Sequence, residues 1–287
     1  MGDEQQHELD IRPRTGGFSA EVDGHALELD VMRSGDQLVF HHTETAPELR
    51  GRGLAGRMVE HGLLWAAEQE RQVIASCSYV ALWLRKHPDW QRLTEPVEVQ
   101  QLLNFWFGAL GSAEHGQVRG EWFRKSAAFD DQIRQRFGAQ LEAALSSGLE
   151  LWAKTPWGSV ARILLLDQLT RNAFRGTARS FAGDALALKT SLALLDGGQY
   201  AQLGTLQRWF ALMPLEHAED LALQDRSVAE FRKLAAEDLR LQGAFDYAIK
   251  HREVIQRFGR FPHRNAILGR TSTVEELDYL AQPGAGF

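Results

Sequence analysis

Polar and apolar positions change rhythm once along this chain of 287 residues. Near the start they alternate with a period of two. Phe18-Ser19-Ala20-Glu21-Val22 runs into Asp23-Gly24, a strong hairpin turn. Ala26-Leu27-Glu28-Leu29-Asp30-Val31 follows and leads to Ser34-Gly35-Asp36, then to Leu38-Val39-Phe40-His41-His42-Thr43. Alternation bounded by such turns predicts an antiparallel meander. Residues before about Thr15 read as a loose polar arm. The period then lengthens. Met58, Val59, Leu63 and Ala66 trace one face of a helix over Arg57–Arg71. Val73–Cys77 reads as one more strand, and Tyr79–Lys86 as a short helix stopped at His87-Pro88.

Beyond Glu98 strand patterns vanish. Helical periods are predicted over 99–107, 129–145, 159–174, 180–195, 205–212, 218–239, 244–258 and 274–280. Ser146-Ser147-Gly148, Gly197-Gly198 and Gly243 mark joints between them. No clean repeat recurs at a fixed period. Residues 89–98 carry Pro96 and no period, so the expected division is 1–94 and 95–287. The first part is α+β with a mainly antiparallel sheet, and the second is all-α.

Between the meander and the first helix lies Arg50-Gly51-Arg52-Gly53-Leu54-Ala55-Gly56. Glycines there let the backbone approach a ligand, and a helix start turns free N–H groups toward an anion. A plain strand-to-helix turn is the bland alternative. Two arginines and three glycines in seven residues favour the anion. Gly51, Gly53 and Gly56 satisfy G-x-G-x-x-G, but the dinucleotide pattern needs a strand–helix–strand unit whose second strand ends in an acidic residue. Here that strand ends in Cys77. The Gly-Lys-Ser/Thr of a Walker loop is absent.

A meander, a glycine-basic loop, a helix and one further strand resemble the GNAT acetyltransferase superfamily. The loop matches its Gln/Arg-x-x-Gly-x-Gly/Ala pattern at every fixed position. His42-Thr43-Glu44, Pro47 to Gly53, Cys77 and Arg85-Lys86-His87-Pro88-Asp89-Trp90 extend the likeness to a compact branch of that superfamily, over the first third of the chain. The resemblance implies that acetyl-CoA is the acyl donor, held by Arg50, Gly51, Arg52, Gly53, Leu54, Ala55 and Gly56. It also implies that the strand end carrying His42 and Glu44 borders the acetyl group. Alternation puts both on one face, where either could accept the amine proton, or both are ordinary surface residues. By the same resemblance Cys77 faces the thioester, as acyl carrier or as proton donor to the leaving thiolate. Packing is the competing reading, because free cysteine is often buried.

The second part resembles a bacterial domain of unknown function with a tetratricopeptide-like helical fold. The matching stretches are Asn104 to Gly108, Trp122-Phe123, Asp167 to Thr177, Met213 to Leu221, and Phe258 to Asn265. That resemblance implies a fold and no activity. The residues add chemistry. Asp167 and Arg171 share a helix face, and polar knots recur at His217-Glu219-Asp220 and around His251, Arg260, His263 and Arg264. They are either an internal network fixing helix packing, or a pocket. The expected pocket is lined by Arg171, Arg175, His217, His251, His263 and Arg264 and selects an anion, since guanidinium groups suit carboxylate and phosphate. The spacings match no zinc motif such as H-E-x-x-H, so no metal is expected.

A net charge of −6 argues against a general nucleic-acid binder. A single cysteine excludes an internal disulfide framework and fits a reducing compartment. The polar, acidic start lacks a signal-peptide pattern, and no apolar run approaches the ~20 residues of a membrane span. The expected place is the cytoplasm, away from membrane. The expected function is that of an acetyl-CoA-dependent N-acetyltransferase-like protein with a helical recognition domain, acting on a small-molecule or protein amine. A CoA-binding module on a helical scaffold, or a hydrolase-like activity in the helical part, are the alternatives.

Overall fold

The computed structural model describes residues 9–286. Its contacts divide the chain into two compact units, one ending at Gln117 and the other beginning at Val118.

The first unit holds a five-stranded sheet in the order β1 (Arg12–Arg14), β2 (Gly17–Val22), β3 (His25–Ser34), β4 (Gln37–Thr45) and β5 (Gln72–Ala75). The first four pair antiparallel, and β5 runs parallel to β4. Asp23 and Gly24 both take positive φ, the two-residue turn that matches strand twist. One expectation fails here. Arg12–Arg14 is no loose arm but an edge strand paired with Gly17, Phe18 and Ser19, and Pro13 is tolerated because an edge needs no second ladder. The remainder of the expected arm, residues 1–8, lies outside the described residues.

Helix α1 (Leu54–Glu68) buries Met58, Val59, Leu63 and Ala66 in one cluster with Phe18, Leu27, Leu29, Val31, Leu38, Phe40 and Val73. Alternation along the strands supplies the sheet's half of this core. Helix α2 (Ser78–Lys86) ends where the His87 ring stacks on Trp83 and its Nδ1–H donates to the Trp83 carbonyl at 2.7 Å. Helix α3 (Val97–Phe107) is tied to the turn before it. Gln100 donates to the carbonyls of Leu93 and Glu95 at 3.0 and 2.8 Å, and Arg92 donates to the Gly108 carbonyl at 2.8 Å and to Asn104. The contacts therefore group α3 with the sheet, although a border after residue 94 would place it with the helices.

The second unit is helical: α4 (Ala127–Leu145), α5 (Pro156–Ile163), α6 (Thr170–Ala173), α7 (Asp184–Asp196), α8 (Thr205–Glu216), α9 (Leu221–Glu237), α10 (Gln242–Phe258) and α11 (Val274–Leu280). Sequentially adjacent α7, α8, α9 and α10 pack on one another. Trp122, Trp157 and Trp209 are buried, as expected of core tryptophans. Two departures from the helical reading matter. A π-helical turn, Leu164–Leu169, joins α5 to α6 and carries Asp167 and Gln168. And α8 does not stop at Leu212 but continues through Pro214 to Glu216, which fixes where His217 emerges.

Candidate functional site

In the first unit the loop leaves β4 through a short turn, Pro47–Leu49. Gly51 and Gly53 then take φ of +77° and +73°, and a side chain on either would meet nothing within 4 Å. The loop thus turns a bare backbone outward. No N–H of residues 51–55 has a hydrogen-bond partner among the described residues. Gly56 has a different reason to be glycine, since its Cβ would lie 3.2 Å from Trp83 Nε1, so it lets α1 and α2 approach. Leu54 is buried. Neither arginine reaches freely into the open space. Arg52 pairs with Asp23 at 2.8 Å, and Arg50 Nε donates to the Thr45 carbonyl at 3.3 Å. The free donors here belong to backbone, not to guanidinium.

Beside the loop, β4 and β5 part. Their pairing ends at Phe40 and Ala75, and the Phe40 carbonyl accepts from both Ser76 and Cys77 N–H, at 3.1 and 2.9 Å. β4 continues alone on that side to Thr45. Cys77 sits just before α2 and is buried. Its Sγ lies 3.4 Å from Thr43 Oγ1. Burial raises the thiol pKa, but the Thr43 hydroxyl and the N–H groups of Val80, Tyr79 and Thr43 outweigh it, so the net shift is downward. A thiolate is favoured by its position at a helix start.

His42 and Glu44 share a face, as alternation requires, with His42 Nε2 3.9 Å from Glu44 Oε2. That face is not the one bearing Cys77. A bulge at Asp30/Val31 shifts the register, so His42 pairs with Asp30 and Glu44 with Glu28, while Thr43 pairs with buried Leu29. Period two then sets His42 and Glu44 on the exposed side and Thr43 on the side of Cys77. Thr43 was missed by sequence reasoning, since a threonine in a strand carries no distinguishing signal.

In the helical unit the polar knots converge. Asp167, fully buried, accepts from His217 Nδ1–H at 2.7 Å and from Gln168 at 2.6 Å, and pairs with Arg171 at 3.2 Å. Arg171 reaches Asp184 at 3.1 Å, and the other Asp184 oxygen holds Arg264 at 3.2 Å. The Arg264 guanidinium lies over Phe181 and Phe261, 4.8 and 4.5 Å from their ring centres. His251 Nδ1 is 2.8 Å from Glu216, and its ring centre is 6.1 Å from that of His217. Burial opposes ionisation of Asp167, but Arg171 and His217 outweigh it and hold the carboxyl below its usual range. Burial lowers the His217 pKa, and Arg171 lowers it further. Burial, then the Arg264 charge, brings His263 to about 4. Burial, with Arg171 beside it, pushes Arg264 down to about 10.

The region carrying this cluster decides the family. Residues 102–284 match the model of a bacterial protein of unknown function, DUF924. The chain belongs to the DUF924 family. A solved structure of a protein of unknown function from Agrobacterium tumefaciens is 36% identical, covers 64% of this chain and 96% of that one, and superposes with a TM-score of 0.54. Residues 17–93 match the model of a GCN5-related N-acetyl-transferase, so the sheet unit is acetyltransferase-like. No curated protein matches the chain.

Within the DUF924 region, five of the six expected pocket residues share one neighbourhood: Arg171, His217, His251, His263 and Arg264. Arg175 is the exception. It pairs with Asp130 through Nε at 2.8 Å and Nη2 at 2.9 Å, and Asn172 donates to the same carboxylate at 2.8 Å. Gln168, four residues before Asn172, turns instead to Asp167. Asp184 and Glu216 are carboxylates of this cluster that sequence reasoning did not single out. Among the described residues no group of three or more His, Cys, Asp and Glu side chains could hold a metal ion, and no helix is long and apolar enough to cross a membrane.

Proposed function

We propose that the sheet unit of this DUF924 protein is an acetyl-CoA-dependent N-acyltransferase. The observation that carries the reading is the run of unpartnered N–H groups from Gly51 to Ala55, opening beside the place where β4 and β5 part. These donors suit the pyrophosphate of CoA, since a helix start offers both N–H groups and a favourable dipole. Open space at Gly51 and Gly53 leaves room for close approach. The acetyl thioester would lie in the gap between the strands, toward Cys77.

In the reaction an amine nitrogen attacks the thioester carbonyl carbon and the carbon–sulfur bond breaks. The amine proton passes to a base, and the CoA thiolate accepts one. Fixing the thioester supplies most of what such a step needs. Cys77 is the group suited to act at the sulfur, either as acid or as acyl carrier. Thr43 is the positioning residue that holds it. His42 and Glu44, on the opposite face, would serve only an acceptor entering from the exposed side.

Alkylation of Cys77 with and without acetyl-CoA tests the reading. Acetyl-CoA should slow labelling, and turnover of a panel of amines should release CoA. An equal labelling rate with ligand bound removes Cys77 from the site. No calorimetric binding of acetyl-CoA removes the function.

A further inference from the structure

The cluster around Asp167 is built with more donors than its own partners use. Arg171 Nη2 and Arg264 Nε are buried without a hydrogen-bond partner among the described residues. Arg264 is only 6% exposed, so its desolvation is uncompensated at that edge. His217 adds an acceptor. Its Nδ1 must carry the proton, because Asp167 can only accept. Nε2 is left with a lone pair. The side chains of His217 and Arg171 keep 11% and 21% exposure, so the cluster is not sealed. The π-helical turn that supplies Asp167 is a local irregularity of the kind often kept at functional sites.

Here open donors on two arginines joined through Asp184 lie in one cluster with the His217 acceptor on Asp167. We propose that the cluster is a second ligand site. It takes a small organic oxyanion, a carboxylate or phosphate, on the free guanidinium edges of Arg171 and Arg264, with a neighbouring O–H or N–H of the ligand donating to His217 Nε2. Two features give this site its selectivity. The rings of Phe181 and Phe261 hold the Arg264 plane, which favours planar, bidentate recognition. And the arginines are already balanced. Asp167, Asp184, Glu216 and Glu219 face Arg171, Arg264 and Arg270 in the same network, together with His217, His251 and His263. An added negative charge opposes the Arg171 and Arg264 charges that, after burial, lower the pKa of His217 and His263. Oxyanion binding therefore takes up a proton on His263, while His217 Nε2 stays the acceptor, and tightens as the pH falls.

Histidine-ring NMR and calorimetry on the full chain test this, with inorganic phosphate, acetate and succinate as probes. Repeating them in a Gly53→Asp chain keeps the loop of the sheet unit out of the measurement. At least one probe should bind in the millimolar range, move the His217 and His263 resonances, and show proton uptake when buffers of different ionisation enthalpy are compared. Phosphate alone, or the carboxylates alone, would assign the ligand class. Arg264→Lys should weaken binding about tenfold by losing the planar fork. His217→Gln should keep the fold and weaken hydrogen phosphate, which can donate to Nε2, more than acetate, which cannot. The proposal is overturned if no probe moves those resonances, or if both variants bind the probe as the parent does.

Discussion

The two sites proposed for negative charge are built in opposite ways. The sheet unit uses backbone: five consecutive N–H groups on a glycine loop, with its arginines engaged elsewhere, Arg52 on Asp23. The helical unit uses side chains, with Arg171 and Arg264 set among Asp167 and Asp184. Peptide dipoles are polar without net charge, so they can stand open at modest cost. Guanidinium groups inside a helical core must be paired or they are very costly. One site is therefore a simple loop, and the other is a network in which each member holds its neighbour. The difference teaches where each unit is fragile: the loop through its shape, the network through its charges.

Removing a member of the network should have the largest effect. Asp167→Ala leaves Arg171 without its buried partner, and stability in urea should fall by about 3–5 kcal/mol. An unchanged midpoint would mean that the network is not held by charge. Gly53→Asp should leave circular dichroism unchanged, because aspartate tolerates positive φ and the side chain enters empty space. It should nevertheless weaken acetyl-CoA about a hundredfold, roughly 2.7 kcal/mol, by putting a carboxylate before the N–H groups. Retained affinity would break the contrast at its other end.

Acid separates the units more gently. His263 titrates at about 4 in the folded chain against 6.5 ordinarily. Between those values the unfolded state binds more protons, so stability should fall as the pH drops from about 6.5 to about 4, by up to roughly 3 kcal/mol. Asp167, with its pKa depressed, loses its contribution only at lower pH, below about 3.9. His263→Gln should flatten the upper window in urea titrations at pH 7 and pH 5. A slope that survives that change assigns the effect elsewhere. The smallest effect belongs to Arg52→Ala. If backbone makes the grip, acetyl-CoA affinity should change by less than about fivefold, under ~1 kcal/mol. A larger loss would show that the side chain leaves Asp23 for the ligand.

What was legible in the sequence is what neighbours in the chain decide. Asp23-Gly24 makes its turn because two adjacent residues accept positive φ. Helix α11 begins at Val274, as its period predicts, under a capping box of Thr273 and Glu276. The glycine loop and the change from strands to helices are equally local. Convergence of Arg171, His217, His251, His263 and Arg264 was readable as an expectation because each polar group sits beside an apolar helix face and needs a partner.

The partners themselves were not readable. Arg175 goes to Asp130 rather than to the cluster, and the two are 45 residues apart. Asp184 joins Arg171 to Arg264 from the start of α7, a position that the period over 180–195 reads as helix interior. The π-helical turn at Leu164–Leu169 carries Asp167 and Gln168, whose side chains meet each other, and nothing in the local propensity announces it. The bulge at Asp30/Val31 acts likewise on β4, leaving Thr43 and not His42 beside Cys77. By itself, then, the sequence determined the elements, their order, the loop and the polar groups that must be satisfied. Tertiary structure alone decided which side chains meet. Period and turn chemistry act over a few residues, whereas a salt bridge or a strand register is chosen only when distant segments pack and each buried charge takes the partner within reach.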